Sequence, residues 1–174
     1  TENTTSITIP TTGSGYNYNV YWEEIGNPSN NGTLTAQTGE ASITGLEANT
    51  DYQVEVTGDF PRIYFNNGGD KTKLRWVTQW GDIEWDSFRS AFYGCENLDI
   101  SATDAPDLEQ VADMGQIFIS CAHLTGENAN WDWNTETVTY MTWMFRNADS
   151  FNQDIGNWNT ENVTNMYGML NIAT

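Results

Sequence analysis

The sequence predicts an α+β protein in which a small antiparallel β region is followed by an α/β repeat solenoid of about four coils. Three observations predict this class. Apolar and polar residues alternate through the first third of the chain, apolar positions recur every 25–27 residues in the second half, and 174 residues suffice for one domain or two small ones sharing a boundary. We place that boundary between residues 1–66 and residues 67–174.

The N-terminal region contains short segments of alternating apolar and polar residues, separated by Gly, Asn and Pro, as is typical of strands with one buried face. The segments predicted as strands are residues 6–11, 16–23, 33–38, 41–44 and 52–57. A complete seven-stranded sandwich needs about 100 residues. We therefore predict an incomplete antiparallel sheet that shares its core with the residues that follow.

The second half of the chain is repetitive. WNTETVTYMTWMF (133–145) recurs as WNTENVTNMYGML (158–170), and residues 85–92 and 111–118 follow the same pattern. Apolar residues within a unit stand at i, i+3, i+6, i+7, i+10 and i+13, which predicts an amphipathic helix after a short β-prone segment. One strand and one helix per unit is the pattern of leucine-rich repeats. We expect this solenoid to be truncated within its fourth coil.

Some of these motifs resemble a known family. FNQDIGNWNTENVTNM (151–166), with WNTETVTYMTWMFRNADSF before it, resembles the repeat of BspA-like leucine-rich-repeat bacterial surface proteins. The segments that open the repeats in that family resemble GDFPRIYFNNGGDK (58–71), QWGDIEW (79–85), AFYGCENL (91–98) and ATDAPDL (102–108). The resemblance implies a bacterial cell-surface protein used for adhesion or partner binding, and it supplies no ligand.

A second resemblance lies in the N-terminal region. SITGLEANTDYQVEV (42–56) resembles the corner between two strands of a fibronectin type III domain, where a Leu and a following Tyr fix the chain. Here these residues would be Leu46 and Tyr52. The resemblance implies a fibronectin- or PKD-like character for residues 1–66.

The chain is strongly acidic, with 24 Asp and Glu, 6 Lys and Arg, and a net charge of −18. This charge argues against binding to nucleic acid or to anionic lipid, because both need clustered basic residues. No apolar run approaches the ~18 residues of a membrane span. We expect an extracellular protein on the bacterial cell surface, with no membrane insertion.

Two cysteines, Cys95 and Cys121, occupy the same column of adjacent coils. Equivalent positions of stacked coils lie ~5 Å apart, which is within reach of a disulfide. A buried pair of free thiols is the favoured alternative, because Ala148 continues the same column and side chains stacked in register need not point at each other. Both interpretations stay open on the sequence alone.

Asp82, Glu84 and Asp86 alternate in GDIEWDS, so their carboxylates would share one side of an extended segment. Such a set could hold Ca²⁺, which takes six to eight oxygen ligands. A solvated acidic face is the favoured alternative, because no known calcium-binding motif surrounds them. No other cofactor is predicted.

Three aromatic residues occupy positions that other repeats fill with polar or small residues. They are Tyr140, Trp143 and Tyr167, on the outward side of the third and fourth coils. Exposed aromatic residues beside carboxylates are typical of glycan or peptide recognition. Contact with a further coil or another subunit is the alternative.

The predicted function is a non-catalytic extracellular binding or adhesion module of a bacterial surface protein. Its predicted partners are a surface protein, a glycan or copies of itself. The alternative is a structural subunit of a surface fibre or filament assembled by end-to-end stacking of solenoids. A carbohydrate-active enzyme or an ice-binding protein is less favoured, since the single histidine, His123, has no Ser or Cys partner for a triad and Thr-x-Thr occurs in only one unit.

Overall fold

The structure, a computed structural model, describes residues 5–171. Within that range it contains seven β-strands and no helix. The strands are β1 (Ser6–Ile9), β2 (Asn17–Glu24), β3 (Asn27–Gln37), β4 (Ala41–Thr44), β5 (Tyr52–Asp59), β6 (Trp76–Val77) and β7 (Asp99–Ile100). The protein is therefore all-β, and most of the chain after β5 is built from turns.

The first five strands form two antiparallel sheets. β1 pairs with β4, and β2 lies between β3 and β5. Tyr18 and Val20 of β2 are fully buried and belong to the same core as Ile43 of β4. Each of the five segments expected to be strands overlaps one of these strands, because one buried face per strand produces the alternation in the sequence.

The predicted helices are absent, so the expected α+β class with an α/β leucine-rich-repeat solenoid is wrong. The cause is a left-handed backbone residue at the same position of every repeat. These residues, with their φ angles, are Ser90 (55°), Gln116 (65°), Trp143 (52°) and Gly168 (62°). A second left-handed residue follows four positions later, at Gly94, Ser120 and Asn147. An α-helix requires negative φ at every residue, so no helix can pass through these positions.

The apolar spacing of the sequence marks a chain of turns. In the second repeat (residues 111–137), the amide of one apolar residue donates to the carbonyl of the apolar residue three positions earlier. These bonds are Ile117 to Met114 (3.4 Å), Cys121 to Phe118 (3.2 Å) and Leu124 to Cys121 (3.1 Å). Turns of this length place every third or fourth side chain on one side, as a helix does.

Other amides of each repeat donate to the next repeat. Between the second repeat and the third (residues 138–162), the bonds are Met114 to Tyr140, Gln116 to Thr142, Phe118 to Met144 and Ser120 to Arg146, at 2.8–2.9 Å. Equivalent bonds join the first repeat (residues 85–110) to the second and the third to the fourth (residues 163–171). Successive repeats therefore lie side by side and run parallel, with parallel bridges at Tyr140.

Aromatic rings form much of the core between the repeats. Phe118 lies between Phe92 and Phe145, with ring centroids 5.8 and 5.5 Å away. Trp133 stacks on Trp158 at 5.7 Å. Each ring meets its equivalent or a neighbour in the adjacent repeat, so the core is continuous across the repeats.

The two sheets join this core through Phe60, which follows β5. Its ring lies 4.8 Å from Tyr18 in the sheets and 6.0 Å from Trp85 in the first repeat. The amide of Asp86 donates to the carbonyl of Pro61 at 2.9 Å. The sheets and the repeats thus share one hydrophobic cluster.

Candidate binding surface

Trp143 and Tyr167 form an aromatic pair on the outer side of the third and fourth repeats. Their ring centroids lie 6.0 Å apart, with 61° between the ring planes. The amide of Trp143 donates to the carbonyl of Tyr167 at 3.0 Å, so the inter-repeat ladder sets their separation. Tyr167 is 72% exposed and Trp143 is partly buried. The pair therefore presents aromatic surface to solvent.

Gly168 determines how Trp143 lies. A Cβ atom at Gly168 would stand 2.5 Å from Cδ1 and 2.7 Å from Nε1 of Trp143, closer than any real side chain allows. The Cδ1–Nε1 edge of the indole therefore lies against the glycine of the next repeat. Because Gly168 also has a positive φ of 62°, both the ring position and the backbone favour glycine there.

Tyr140 is exposed but does not complete a three-ring cluster. Its side chain is 46% exposed, and its backbone forms parallel bridges with Asp113 and Asn165. In the part of the chain that the structure describes, its ring is not paired with Trp143 or Tyr167. The structure thus brings together two of the three aromatic residues that the sequence suggested.

Arg146 belongs to the same surface and was missed in the sequence. Its guanidinium carbon lies 5.5 Å from the centre of the Trp143 ring, on the ring face. None of the carboxylates within residues 5–171 forms a salt bridge with it, and Nε is buried without a hydrogen-bond partner. The signal that could have found it is its isolation, because it is the single base in residues 90–174.

The polar side chains of the neighbouring repeats bond to one another. Arg89 forms a salt bridge with Asp113 at 3.1 Å, and the hydroxyl of Ser90 donates to Gln116 at 3.0 Å. These four residues stand at the positions that Tyr140, Trp143 and their neighbours occupy in the third repeat. The surface therefore changes from internally bonded polar groups to aromatic rings and an uncompensated arginine.

Asp82, Glu84 and Asp86 lie elsewhere. All three are exposed, and they line a cleft of about 450 Å³ together with Asp59 and Phe60. Among residues 5–171, however, no group of three or more His, Cys, Asp or Glu is arranged to hold a metal ion. The three carboxylates share this cleft, and a Ca²⁺ site there stays a prediction.

One family model matches the chain, over residues 86–174, and its description is Mycoplasma protein of unknown function, DUF285. The match covers just over half of the chain and coincides with the repeats. The chain belongs to the DUF285 family. No curated protein and no solved structure matches it.

The expected relationship to BspA-like leucine-rich-repeat proteins is therefore wrong. The matched family is DUF285, and its repeats in this chain consist of turns without helices. The N-terminal sheets have two and three strands rather than the sandwich of a fibronectin type III domain. Leu46 is buried, and the hydroxyl of Tyr52 accepts a hydrogen bond from the amide of Glu47 at 2.9 Å. This corner is the extent of that likeness.

Cys95 and Cys121 of this DUF285 protein are both free thiols and fully buried. The Cys121 Sγ donates to the carbonyl of Phe92 at 3.2 Å. Burial raises the pKa of both thiols well above their ordinary value of 9.0. As neutral, buried groups they act as part of the core.

The described residues contain no helix of the length and hydrophobicity that crossing a membrane requires.

Proposed function

We propose that this protein is a non-catalytic, extracellular binding module of a bacterial cell surface, which binds carbohydrate through the surface formed by Trp143, Tyr167 and Arg146. The observation that carries the proposal is the exposed pair of Trp143 and Tyr167, held in a fixed relative position by the inter-repeat hydrogen bond and by Gly168. Adjacent exposed apolar side chains with polar residues around them are typical of interaction sites on protein surfaces.

A rigid aromatic pair favours a carbohydrate over an extended peptide. The C–H faces of sugar rings stack on aromatic side chains, whose planar rings lose little conformational entropy on binding. Hydroxyl groups at the sugar rim would meet the guanidinium of Arg146 and the phenol of Tyr140. A peptide that adds to a sheet would instead need a free strand edge. The third repeat, which carries Trp143, offers none because it is bonded to a repeat on either side, so only the outer edge of the fourth repeat could take such a peptide.

The test is a glycan array and a peptide array, each run with and without Ca²⁺. We expect retention of one or more glycans, with binding at least tenfold weaker for Trp143→Ala and for Tyr167→Ala. Tyr140→Ala should weaken binding less, because its ring is not part of the pair. Trp76→Ala is the matched control, since Trp76 is 56% exposed on β6, outside this surface.

Retention of peptides without glycans would refute the carbohydrate assignment. Binding unchanged by Trp143→Ala and Tyr167→Ala would refute the surface. Loss of binding on removal of Ca²⁺ would support the predicted metal site, and Asp82, Glu84 and Asp86 in the acidic cleft would then be the first residues to mutate.

A second candidate function, a self-assembling fibre subunit, is favoured by one observation. Met166 and Leu170 of the fourth repeat are 43% and 54% exposed, whereas their equivalents Met141 and Phe145 are fully buried. A second copy stacked on this face would bury them. Light scattering across a hundredfold range of concentration tests this, and a constant monomer mass would exclude assembly. Met166→Gln should abolish any assembly that is seen.

A further inference from the structure

We infer that the ligand bound at this surface carries a carboxylate, as hexuronic and sialic acids do, and that Arg146 recognises it. This inference rests on the proposed function and specifies the ligand further. Arg146 is the single base among residues 90–174, which hold twelve acidic residues. No carboxylate of the described chain forms a salt bridge with it.

The other arginines of the protein all have a partner for the guanidinium. Arg62 resembles Arg146 in lying over a ring, that of Tyr64, with a buried and unpartnered Nε, but its terminal nitrogen donates to the carbonyl of Arg89 at 2.9 Å. Arg75 pairs with Asp51 at 3.3 Å and Arg89 pairs with Asp113 at 3.1 Å. Arg146 instead lies against Trp143, with the guanidinium carbon 5.5 Å from the ring centre. Its Nε is buried without a hydrogen-bond partner, which is costly for a cationic donor. The terminal nitrogens, unlike Nε, are not buried and form no hydrogen bond within residues 5–171, so they keep their hydrogen-bonding capacity beside the exposed aromatic pair.

The chemistry of the guanidinium selects the ligand group. Arginine binds a carboxylate through two parallel hydrogen bonds, and stacking on an aromatic ring fixes the plane in which those bonds point. A sugar ring on Tyr167 and Trp143 would place its substituents at the edge where Arg146 lies. Because Arg146 is only partly buried, a ligand can reach its terminal amino groups.

The net negative charge of the protein repels an anionic ligand at long range, and the strength of this repulsion depends on the salt concentration of the binding experiment. At physiological salt the Debye length is ~8 Å, so distant carboxylates contribute little. Binding should therefore be measured at about 150 mM salt. A contact pair with Arg146 is far less screened than the distant charges.

The probes are sialyllactose and a short oligogalacturonate, each with its methyl ester, which removes the charge and keeps the sugar. We expect at least one acid to bind about tenfold more tightly than its ester, the factor that corresponds to a charged hydrogen bond. Arg146→Gln should make acid and ester equal. Arg89→Gln, which makes the same change of net charge at a paired arginine, should leave the ratio intact.

Equal binding of acid and ester to the unmodified protein would overturn the inference, as would a ratio that survives Arg146→Gln. Binding of neutral glycans alone, lost in Trp143→Ala, would overturn the inference and leave the proposed function in place. Binding that is indifferent to Trp143→Ala would instead refute the proposed function itself. The circular dichroism spectrum of Arg146→Gln should match that of the unmodified protein, which shows that the variant is folded. Arg146→Lys keeps the charge without the planar group and should retain only part of the preference for the acid over its ester.

Discussion

Three tryptophans of the protein lie across a glycine on a neighbouring part of the chain. Trp22 covers Gly32, Trp131 covers Gly126 and Trp143 covers Gly168, with 2.5–2.7 Å between the nearest ring atom and a Cβ placed on the glycine. Trp131 also donates its indole N–H to the carbonyl of Gly126 at 2.9 Å. Glycine is therefore required at these positions as space for a ring, and not only as a flexible residue.

Gly126→Ala tests this requirement. Gly126 and Gly81 both have left-handed backbones, with φ of 60° and 69°, but a Cβ at Gly81 meets no atom within 4 Å. Gly81→Ala should lower the free energy of unfolding by about 1 kcal/mol through backbone strain alone. Gly126→Ala should cost about 2–3 kcal/mol more, because Trp131 must move. Equal losses in urea denaturation would contradict the packing role.

Burial of the two thiols has a consequence for stability at alkaline pH. The pKa of Cys95 and of Cys121 is raised in the folded protein, chiefly by desolvation. In the unfolded chain the same thiols ionise near pH 9, so above that pH the unfolded state loses protons that the folded state keeps. The stabilisation is complete below pH 9 and declines as pH rises further.

The free energy of unfolding, measured in reductant, should therefore fall between pH 9 and pH 10.5 by up to about 1.4 kcal/mol per pH unit for each thiol. Ala148 already occupies this column, so Cys95→Ala with Cys121→Ala is a conservative double variant whose slope should be flatter. Burial raises the pKa of Tyr18 to about 12, and its contribution stays in both proteins. Identical slopes would show that the thiols are not buried as neutral groups.

At the scale of the elements, the strands of the N-terminal sheets were predictable and the conformation of the repeats was not. Alternation in the sequence located all five strands of these sheets, and less exposed residues alternate with more exposed ones most clearly in β2, β4 and β5. In the repeats, the spacing of three and four residues correctly marks which side chains are buried, such as Met114, Ile117 and Phe118. The same spacing arises from a helix and from consecutive turns, so the pattern alone could not distinguish them.

The candidate surface was also predictable only in part. Trp143 and Tyr167 could be found because they break the polar pattern of their columns. Their pairing, the position of the indole edge against Gly168 and the isolation of Arg146 depend on which repeats lie side by side. Left-handed residues at Ser90, Gln116 and Trp143 gave no sequence signal, because serine, glutamine and tryptophan all occur commonly in helices.

The position of each repeat that has a left-handed backbone, which is Gln116 in the second repeat, allows a test of the turn conformation. Gln116 has a φ of 65° and is surrounded by the inter-repeat ladder. Gln116→Val places a β-branched residue in this conformation and should cost about 2 kcal/mol. Gln116→Asn loses the same hydrogen bond to Ser90 but tolerates a left-handed backbone, so it should cost less than half as much.

Urea denaturation measures both variants, and far-ultraviolet circular dichroism should lack helical minima in each. Asparagine should be the less destabilising residue only if position 116 has a left-handed backbone. A more stable Gln116→Val variant would therefore contradict the left-handed conformation and favour a helical repeat.

In the whole molecule, the junction after β5 ties the sheets to the repeats by charge as well as by hydrophobic contact. Lys73 and Asp70 form an ion pair of 2.6 Å. Asp70 accepts the amide of Thr8 and Lys73 donates to the carbonyl of Ser6, so the pair covers the free edge of β1. Covered edges do not pair with other chains. Arg75, which pairs with Asp51 beside β5 at 3.3 Å, adds a second charged contact between the sheets and the chain that follows them.

A shared core predicts that the sheets and the repeats unfold together. Phe151 packs on Phe145 at 4.1 Å, in the repeats and away from both sheets. Phe151→Ala should destabilise the protein by about 3–5 kcal/mol. If the hydrophobic cluster that runs through Phe60 makes one cooperative unit, hydrogen exchange of the β2 amides should accelerate by the same free energy as exchange at Phe118.

Acceleration at Phe118 with unchanged protection in β2 would mean two units that fold separately, with a boundary near residue 66. In that case Phe60→Ala, which removes contacts to Tyr18 and Trp85, would lower the protection of each unit separately. In a single cooperative unit, Phe60→Ala would lower the protection of all the core amides by the same further amount.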